Sequence, residues 1–266
     1  MQSLPYQEVK EKIEQAESIT ILSHLNPDAD TLGTSLGIYA LLSKALHQRV
    51  EVVNASSALP QYLDFLPNFK KIKHHIDYKQ SLIIACDCAS IDRLGFDLVG
   101  REIINIGHHE SNTRYASASQ VAFTLFKEIY KIDADAATCF YTALLSHTRY
   151  FTSTNVNQEV FSVAKTLVEA GAKPDTIAYN FTQRRPLSSL RILQRALASL
   201  TLYDNAKIAT LSVTRLDIEA TGATVADMDG IADYAKSLVT VEIAFFAMEV
   251  EEGIRVSLRS KKSRCI

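Results

Sequence analysis

Ile19-Thr20-Ile21-Leu22-Ser23-His24-Leu25-Asn26-Pro27-Asp28-Ala29-Asp30-Thr31-Leu32-Gly33-Thr34-Ser35-Leu36-Gly37 is the stretch whose reading decides the fold. Its first four residues form an apolar run with strand composition, ending at Ser23. Asn26-Pro27 then forces a turn, because proline fixes its own φ and pushes the preceding residue out of helical space. From Thr31 onward the apolar residues fall at Leu32, Leu36, Tyr39 and Ala40, a helical period. Asp30 is therefore expected at the N-cap, its carboxylate accepting amides that the first turn leaves unpaired. His24 and Asp28 have no comparable capping task. Together the three occupy the C-terminal edge of a strand, where open α/β folds place their sites, and we read the loop as metal-ligating.

Composition narrows the setting. The chain has 266 residues, room for two domains, and its 47% hydrophobic and 22% charged residues are those of an ordinary globular protein. A net charge of −2 gives no basic footprint, so a long nucleic acid gripped through its phosphates is not expected. No apolar run reaches membrane-spanning length, and Met1–Lys10 lacks a signal peptide's apolar core, so a cytoplasmic protein without a membrane partner is expected. Cys86, Cys88, Cys139 and Cys265 lack zinc-finger spacing and read as thiols, not disulfides.

Outward from the opening stretch, Tyr6–Glu17 reads as a weak amphipathic helix and Arg49–Asn54 as a second strand, parallel to the first after a right-handed crossover. Ala58–Lys73 is punctuated by prolines and has no clear period. His74 and His75, beside Lys71 and Lys73, read as solvated. Ser81–Cys86 is a third strand ending on Asp87, and Glu102–Ile106 a fourth ending on Gly107-His108-His109. Three strands thus bring His24, Asp28, Asp30, Asp87, His108 and His109 to one sheet edge. Gln120–Ile132 and Asp135–Leu145 read as helices, and His147 follows the second. Periodicity alone leaves open whether His147 joins the site.

Asn157–Gly171 is a helix with Val160, Val163, Ala164, Leu167 and Val168 on one face, and Thr176–Leu200 is helical with a break at Pro186. Strand Lys207–Val213, helix Val225–Leu238 and strands Val239–Glu249 and Gly253–Ser260, the last two forming a hairpin, complete a small α+β domain. The expected class is α/β: a mainly parallel N-terminal sheet with flanking helices, joined by a helical linker to the smaller C-terminal α+β domain. The expected boundaries are 1–182, a linker at 183–202, and 203–266.

The array His24-Leu25-Asn26-Pro27-Asp28-Ala29-Asp30 with Gly33, then Asp87, then His108-His109 with Ser111-Asn112, resembles the successive motifs of the DHH phosphoesterase family. The similar branch hydrolyses very short oligoribonucleotides and 3′-phosphoadenosine 5′-phosphate. Asp227–Ile231, Val241–Ala244 and Ser257–Lys261 resemble that branch's substrate-binding domain.

The resemblance implies a phosphoesterase with two divalent cations, typically manganese, and a metal-activated water. Carried over by position, His24 and Asp28 hold one metal, Asp30 and His108 the other, and Asp87 bridges them. His147 stands at a further ligand position. His109 faces the scissile phosphate as a catalytic group with Asp87, and His109, Asn112, Arg255 and Arg259 meet the substrate. The implied partner is a short oligonucleotide or a mononucleotide, with a homodimer as a candidate assembly.

Three departures accompany the resemblance. Gly107 stands where the family motif has aspartate, His147 stands where it has an aspartate ligand, and the glycine-rich His motif of the second domain is not found in these 266 residues. A truncated second domain and a weak second metal are expected. A family member that binds a nucleotide or a protein partner without turnover is the alternative to an active enzyme.

Overall fold

The computed structural model describes residues 5–108, 115–251 and 253–261. It divides into two compact units, 1–182 and 183–266, described separately below.

The first unit is built on β1 (Ser18–Ser23), β2 (Arg49–Val53), β3 (Leu82–Cys86) and β4 (Ile103–Ile106), in the order β2-β1-β3-β4 and parallel throughout. Because all four strands run the same way, their C-terminal ends share one edge. Register sets Ser23 opposite Cys86, and Cys86 opposite Ile106. The residues that follow, His24, Asp87 and Gly107, are consequently brought to neighbouring positions.

Period-two alternation divides the strands between two apolar layers. Ile19, Ile21, Val52, Ile84 and Cys86 join the core shared with the helices, while Leu22, Val53, Ile83 and Ala85 pack with Cys88, Leu94 and Leu98 on the other side. The helices are α1 (Tyr6–Gln15), α2 (Ala29–Ala45), α3 (Ala118–Phe126), α4 (Ala134–His147), α5 (Gln158–Glu169) and α6 (Pro174–Gln183).

The packing of α2 against α4 rests on two glycines one helical turn apart. A Cβ on Gly33 would lie 2.6 Å from the Cys139 carbonyl oxygen and 2.7 Å from the Ala143 Cβ, and one on Gly37 would lie 2.4 Å from the Phe140 ring. Glycine here serves close approach, since it is the residue that adds no Cβ between the helices.

The second unit holds a sheet in the order β5-β6-β7-β8, formed by Thr201–Tyr203, Ile208–Val213, Ile243–Val250 and Gly253–Ser260. β6 and β7 are parallel, and the two outer pairs are antiparallel. Helices α7 (Leu187–Ala198), α8 (Arg215–Thr221) and α9 (Ile231–Lys236) accompany it. Ile192 and Ala196 of α7 are fully buried in the same core as Leu211, Val213 and Phe246 of the sheet.

The α/β class stands, with a helix-flanked parallel sheet followed by a smaller C-terminal sheet unit. Several element boundaries differ from the sequence reading. The helix expected over Gln120–Ile132 is Ala118–Phe126, with Lys127 at its C-cap. The helix expected over Val225–Leu238 is a 3-10 turn, Val225–Met228, and the short α9, separated at Gly230, whose φ of 78° ends helical continuation. The strand expected from Val239 begins at Ile243. Short β5 and seven-residue α8 carry too little pattern to be read in advance.

Candidate metal centre

Three segments of backbone position the site. The loop after β1 is pinned by Asn54, a fully buried residue just past β2. Its Nδ2 donates to Ser23 O (3.2 Å), Ser23 Oγ (2.8 Å) and His24 O (2.9 Å), while its Oδ1 accepts from Ser56 N (2.9 Å). Ser56 Oγ in turn accepts from Asn26 N at 2.8 Å, where Asn26 takes a left-handed φ of 53°. Asp87 at the end of β3 also has a φ of 53°, a conformation aspartate tolerates better than most residues.

Asp28, not Asp30, caps α2: its Oδ1 accepts from Thr31 N at 2.9 Å. This corrects the capping assignment. Asp30 lies in the first turn, 1% exposed, and its carboxylate reaches a different helix. Ala118 N donates to its Oδ2 (3.0 Å) and Ser119 N to its Oδ1 (3.2 Å). These are the first two amides of α3, whose unpaired donors and dipole favour an anion.

The expected ligands gather into two triads, within each of which one ligand atom per residue lies within 4.8 Å of the others: His24, Asp28 and Asp87; and Asp30, His108 and His147. In the first, His24 Nδ1 is 2.8 Å from Leu25 O, so Nδ1 carries the donated proton and Nε2 presents its lone pair. That Nε2 is 3.9 Å from Asp87 Oδ2. In the second, His147 Nδ1 is 3.2 Å and His108 Nε2 4.0 Å from Asp30 Oδ2. The two imidazoles meet edge to face, centroids 4.4 Å apart. Asp87 Oδ1, 3.7 Å from His108 Nε2, links the triads.

The electrostatics separate the two buried carboxylates. Burial alone would raise the Asp30 pKa, but the hydrogen bond and charge of His147, the Ala118 amide and the charge of His108 outweigh it and hold it low. Asp87 is pushed up to about 7, first by burial and then by the charges of Asp30 and Asp28, against the opposing His147 and Thr31. His147 is raised, since Asp30 and the charges of Asp87 and Asp28 overcome its burial. Crowded carboxylates and imidazoles converging where buried His24, Asp30 and Asp87 meet partly buried His108 and His147 and exposed Asp28 fit a cation; their mixed N/O donor set suits manganese, iron or zinc.

Of the remaining expected residues, His109, Ser111 and Asn112 lie outside the described residues. Arg255 is exposed on β8. Arg259, on the same strand, is half-buried with Nε 3.6 Å from Asp233 Oδ2. His74 and His75 are exposed, with His74 Nδ1 3.2 Å from Asn54 O and His75 beside Asp77. Sequence reading missed Asn54, Ser56 and Thr31. Asn54 left one signal, its place directly after β2 at the same sheet edge.

Residues 18–144 match the DHH family, N-terminal domain. A protein from Thermus thermophilus named bifunctional oligoribonuclease and PAP phosphatase NrnA is 28% identical over 256 residues, covering 91% of this chain and 76% of the relative. The Bacillus subtilis protein of the same name is 20% identical, covering 92% and 82%. Among solved structures, an exopolyphosphatase-related protein from Bacteroides fragilis superposes with a TM-score of 0.87 at 24% identity, over 97% of this chain and 83% of that one, a likeness of fold. Family match and relatives support a hydrolase of the phosphoesterase type, and among the described residues no helix is long and apolar enough to cross a membrane. Residues 18–144 of the chain thus form a domain of the DHH type, matching that family's N-terminal domain.

Proposed function

We propose that this chain is a manganese-dependent phosphoesterase acting on very short oligonucleotides, on 3′-phosphoadenosine 5′-phosphate, or on both. The observation that carries the reading is the placement of Asp87. One oxygen faces His24 at 3.9 Å and the other faces His108 at 3.7 Å, so a single carboxylate addresses both triads. That is the disposition a bridging ligand needs.

A pair of divalent cations supplies Lewis-acid polarisation of a phosphoryl oxygen and a water whose pKa is lowered towards neutrality. His24 and Asp28 would hold one ion, Asp30, His108 and His147 the other, and Asp87 both. Asp30 stays ionised through its α3 amides and His147, a fixed charge rather than a proton carrier. The buried wall behind the triads, including Thr31, Thr34 and Ser35, limits bulk water on the helix side. His109 and Asn112 would orient the scissile phosphate. Arg255 and Arg259 would meet a terminal phosphate or base, Arg259 as a bidentate donor. With a net charge of −2, recognition is confined to one or two terminal nucleotides.

The test is hydrolysis of a dinucleotide, of longer single strands and of 3′-phosphoadenosine 5′-phosphate with manganese. Product should appear, be lost on chelation, and decline with oligonucleotide length. Manganese-loaded protein that binds the dinucleotide without cleaving it would favour the non-catalytic alternative. Equal or faster turnover of a long strand would contradict the size limit.

A further inference from the structure

Thr31 is fully buried in the first turn of α2, and its hydroxyl lies where the first triad converges. Oγ1 is 2.7 Å from His24 Nε2, 3.0 Å from Asp28 Oδ1 and 3.1 Å from Asp87 Oδ2. The β1 loop, the α2 cap three residues before Thr31, and the end of β3, 56 residues on, thus meet at one oxygen.

A threonine hydroxyl has a single proton. Because Nδ1 of His24 is committed to Leu25 O, Nε2 of the neutral ring is an acceptor, as are Asp28 Oδ1 and Asp87 Oδ2 when the carboxylates are ionised, the forms that a cation binds. One donor therefore serves three acceptors in turn. The capping of α2 does not require this hydroxyl, since the Thr31 amide already donates to Asp28 Oδ1 at 2.9 Å. What the hydroxyl adds is a shared donor between two carboxylates and an imidazole that a cation must also find together. Valine would set carbon against all three, alanine would leave a gap, and either would leave Asp28 and Asp87 to repel each other across that point.

We propose that the Thr31 hydroxyl is a positioning group of the metal centre, holding His24, Asp28 and Asp87 converged so that cation binding at this triad costs little rearrangement. The inference rests on the reading of the two triads as a metal centre. Its signature is selectivity: the hydroxyl meets Asp87 at Oδ2 and not at the Oδ1 that faces His108, so its loss weakens the ion at His24 and Asp28 and spares the one at Asp30, His108 and His147. Hydrogen-bonding partners behind metal ligands typically contribute about 10- to 100-fold in affinity.

The experiment is manganese titration of the full chain by calorimetry and by the electron paramagnetic resonance signal of free Mn2+, comparing wild type, Thr31→Ser and Thr31→Ala. Both variants lose the methyl group and one keeps the hydroxyl, so their difference isolates it. Thr31→Ala should weaken one binding event by about 10- to 100-fold and leave the other, with Thr31→Ser close to wild type. Two outcomes overturn the proposal. Either Thr31→Ser and Thr31→Ala bind both ions alike, or Thr31→Ala weakens both events equally with a lowered melting temperature, the mark of a merely structural role. Wild type that binds no cation would overturn the metal-centre reading and this proposal with it; failure confined to the variants overturns this proposal alone.

Discussion

His147 Nδ1 lies 3.2 Å from Asp30 Oδ2, joining the last residue of α4 to the first turn of α2. The contact depends on how closely those helices pack, which Gly33 and Gly37 set. Gly33→Ala would drive a methyl to 2.6 Å from the Cys139 carbonyl, in the middle of α4, where no flexible side chain can move aside. Overpacking of this kind costs about 1–3 kcal/mol. Thermal melting should register the loss, and manganese titration should show weakened binding at Asp30, His108 and His147 as α4 is displaced. An unchanged melting temperature with two unaltered binding events would contradict this account of the interface.

Asp30 and Asp87 should give metal-free stability opposite signs. A carboxyl held below its unfolded value, as Asp30 is, contributes stability that is present above that value and lost as pH falls through the folded pKa. Asp87 is the reverse: raised to about 7, it holds its proton more tightly folded than unfolded, so stability falls as pH rises from about 4 towards 7. In chelated protein at about pH 8, Asp87→Asn should therefore raise the melting temperature and Asp30→Asn should lower it. The gain for Asp87→Asn should shrink as pH is lowered towards about 4. For a unit of this size roughly 2–4 °C corresponds to 1 kcal/mol, so melts at two pH values resolve the difference. Asp87→Asn melting below wild type at both would count against it.

Local pattern carried the candidate ligands but not their supports. His24, Asp28, Asp30 and Asp87 were legible because each follows an apolar run or a proline turn within a few residues. The role of Asp30 was not, because its amide donors, Ala118 and Ser119, are 88 and 89 residues away. A local rule assigned it the cap that Asp28 provides. Gly33 read as part of a motif; its purpose is contact with Cys139 and Ala143, which no spacing within α2 reveals. Thr31 looked like an ordinary first-turn residue, since its meaning depends on Asp87, which the pairing of β1 with β3 brings to it from 56 residues away. In the second unit, Val225–Leu238 has helical composition, but the left-handed Gly230 divides it.

The imidazole at position 147 changes the charge balance. In the proposed two-metal centre, Asp28, Asp30 and Asp87 would bring three negative charges to two divalent cations with four positive ones, and a neutral imidazole would offset none. The ion at Asp30, His108 and His147 should therefore be the weaker, with activity that rises at high manganese. Changing His147 and Gly107 together to aspartate should tighten that ion and increase dinucleotide turnover. No change in either quantity would mean that His147 already serves as a fully competent ligand.

The most direct test of the two triads joined by Asp87 is the manganese content of metal-loaded protein, measured by elemental analysis for wild type and Asp87→Ala. Wild type should carry at least one tightly held ion and a second, weaker one, with both lost in Asp87→Ala because one carboxylate serves the two positions. Wild type devoid of bound transition metal, or Asp87→Ala retaining both ions, would contradict that expectation.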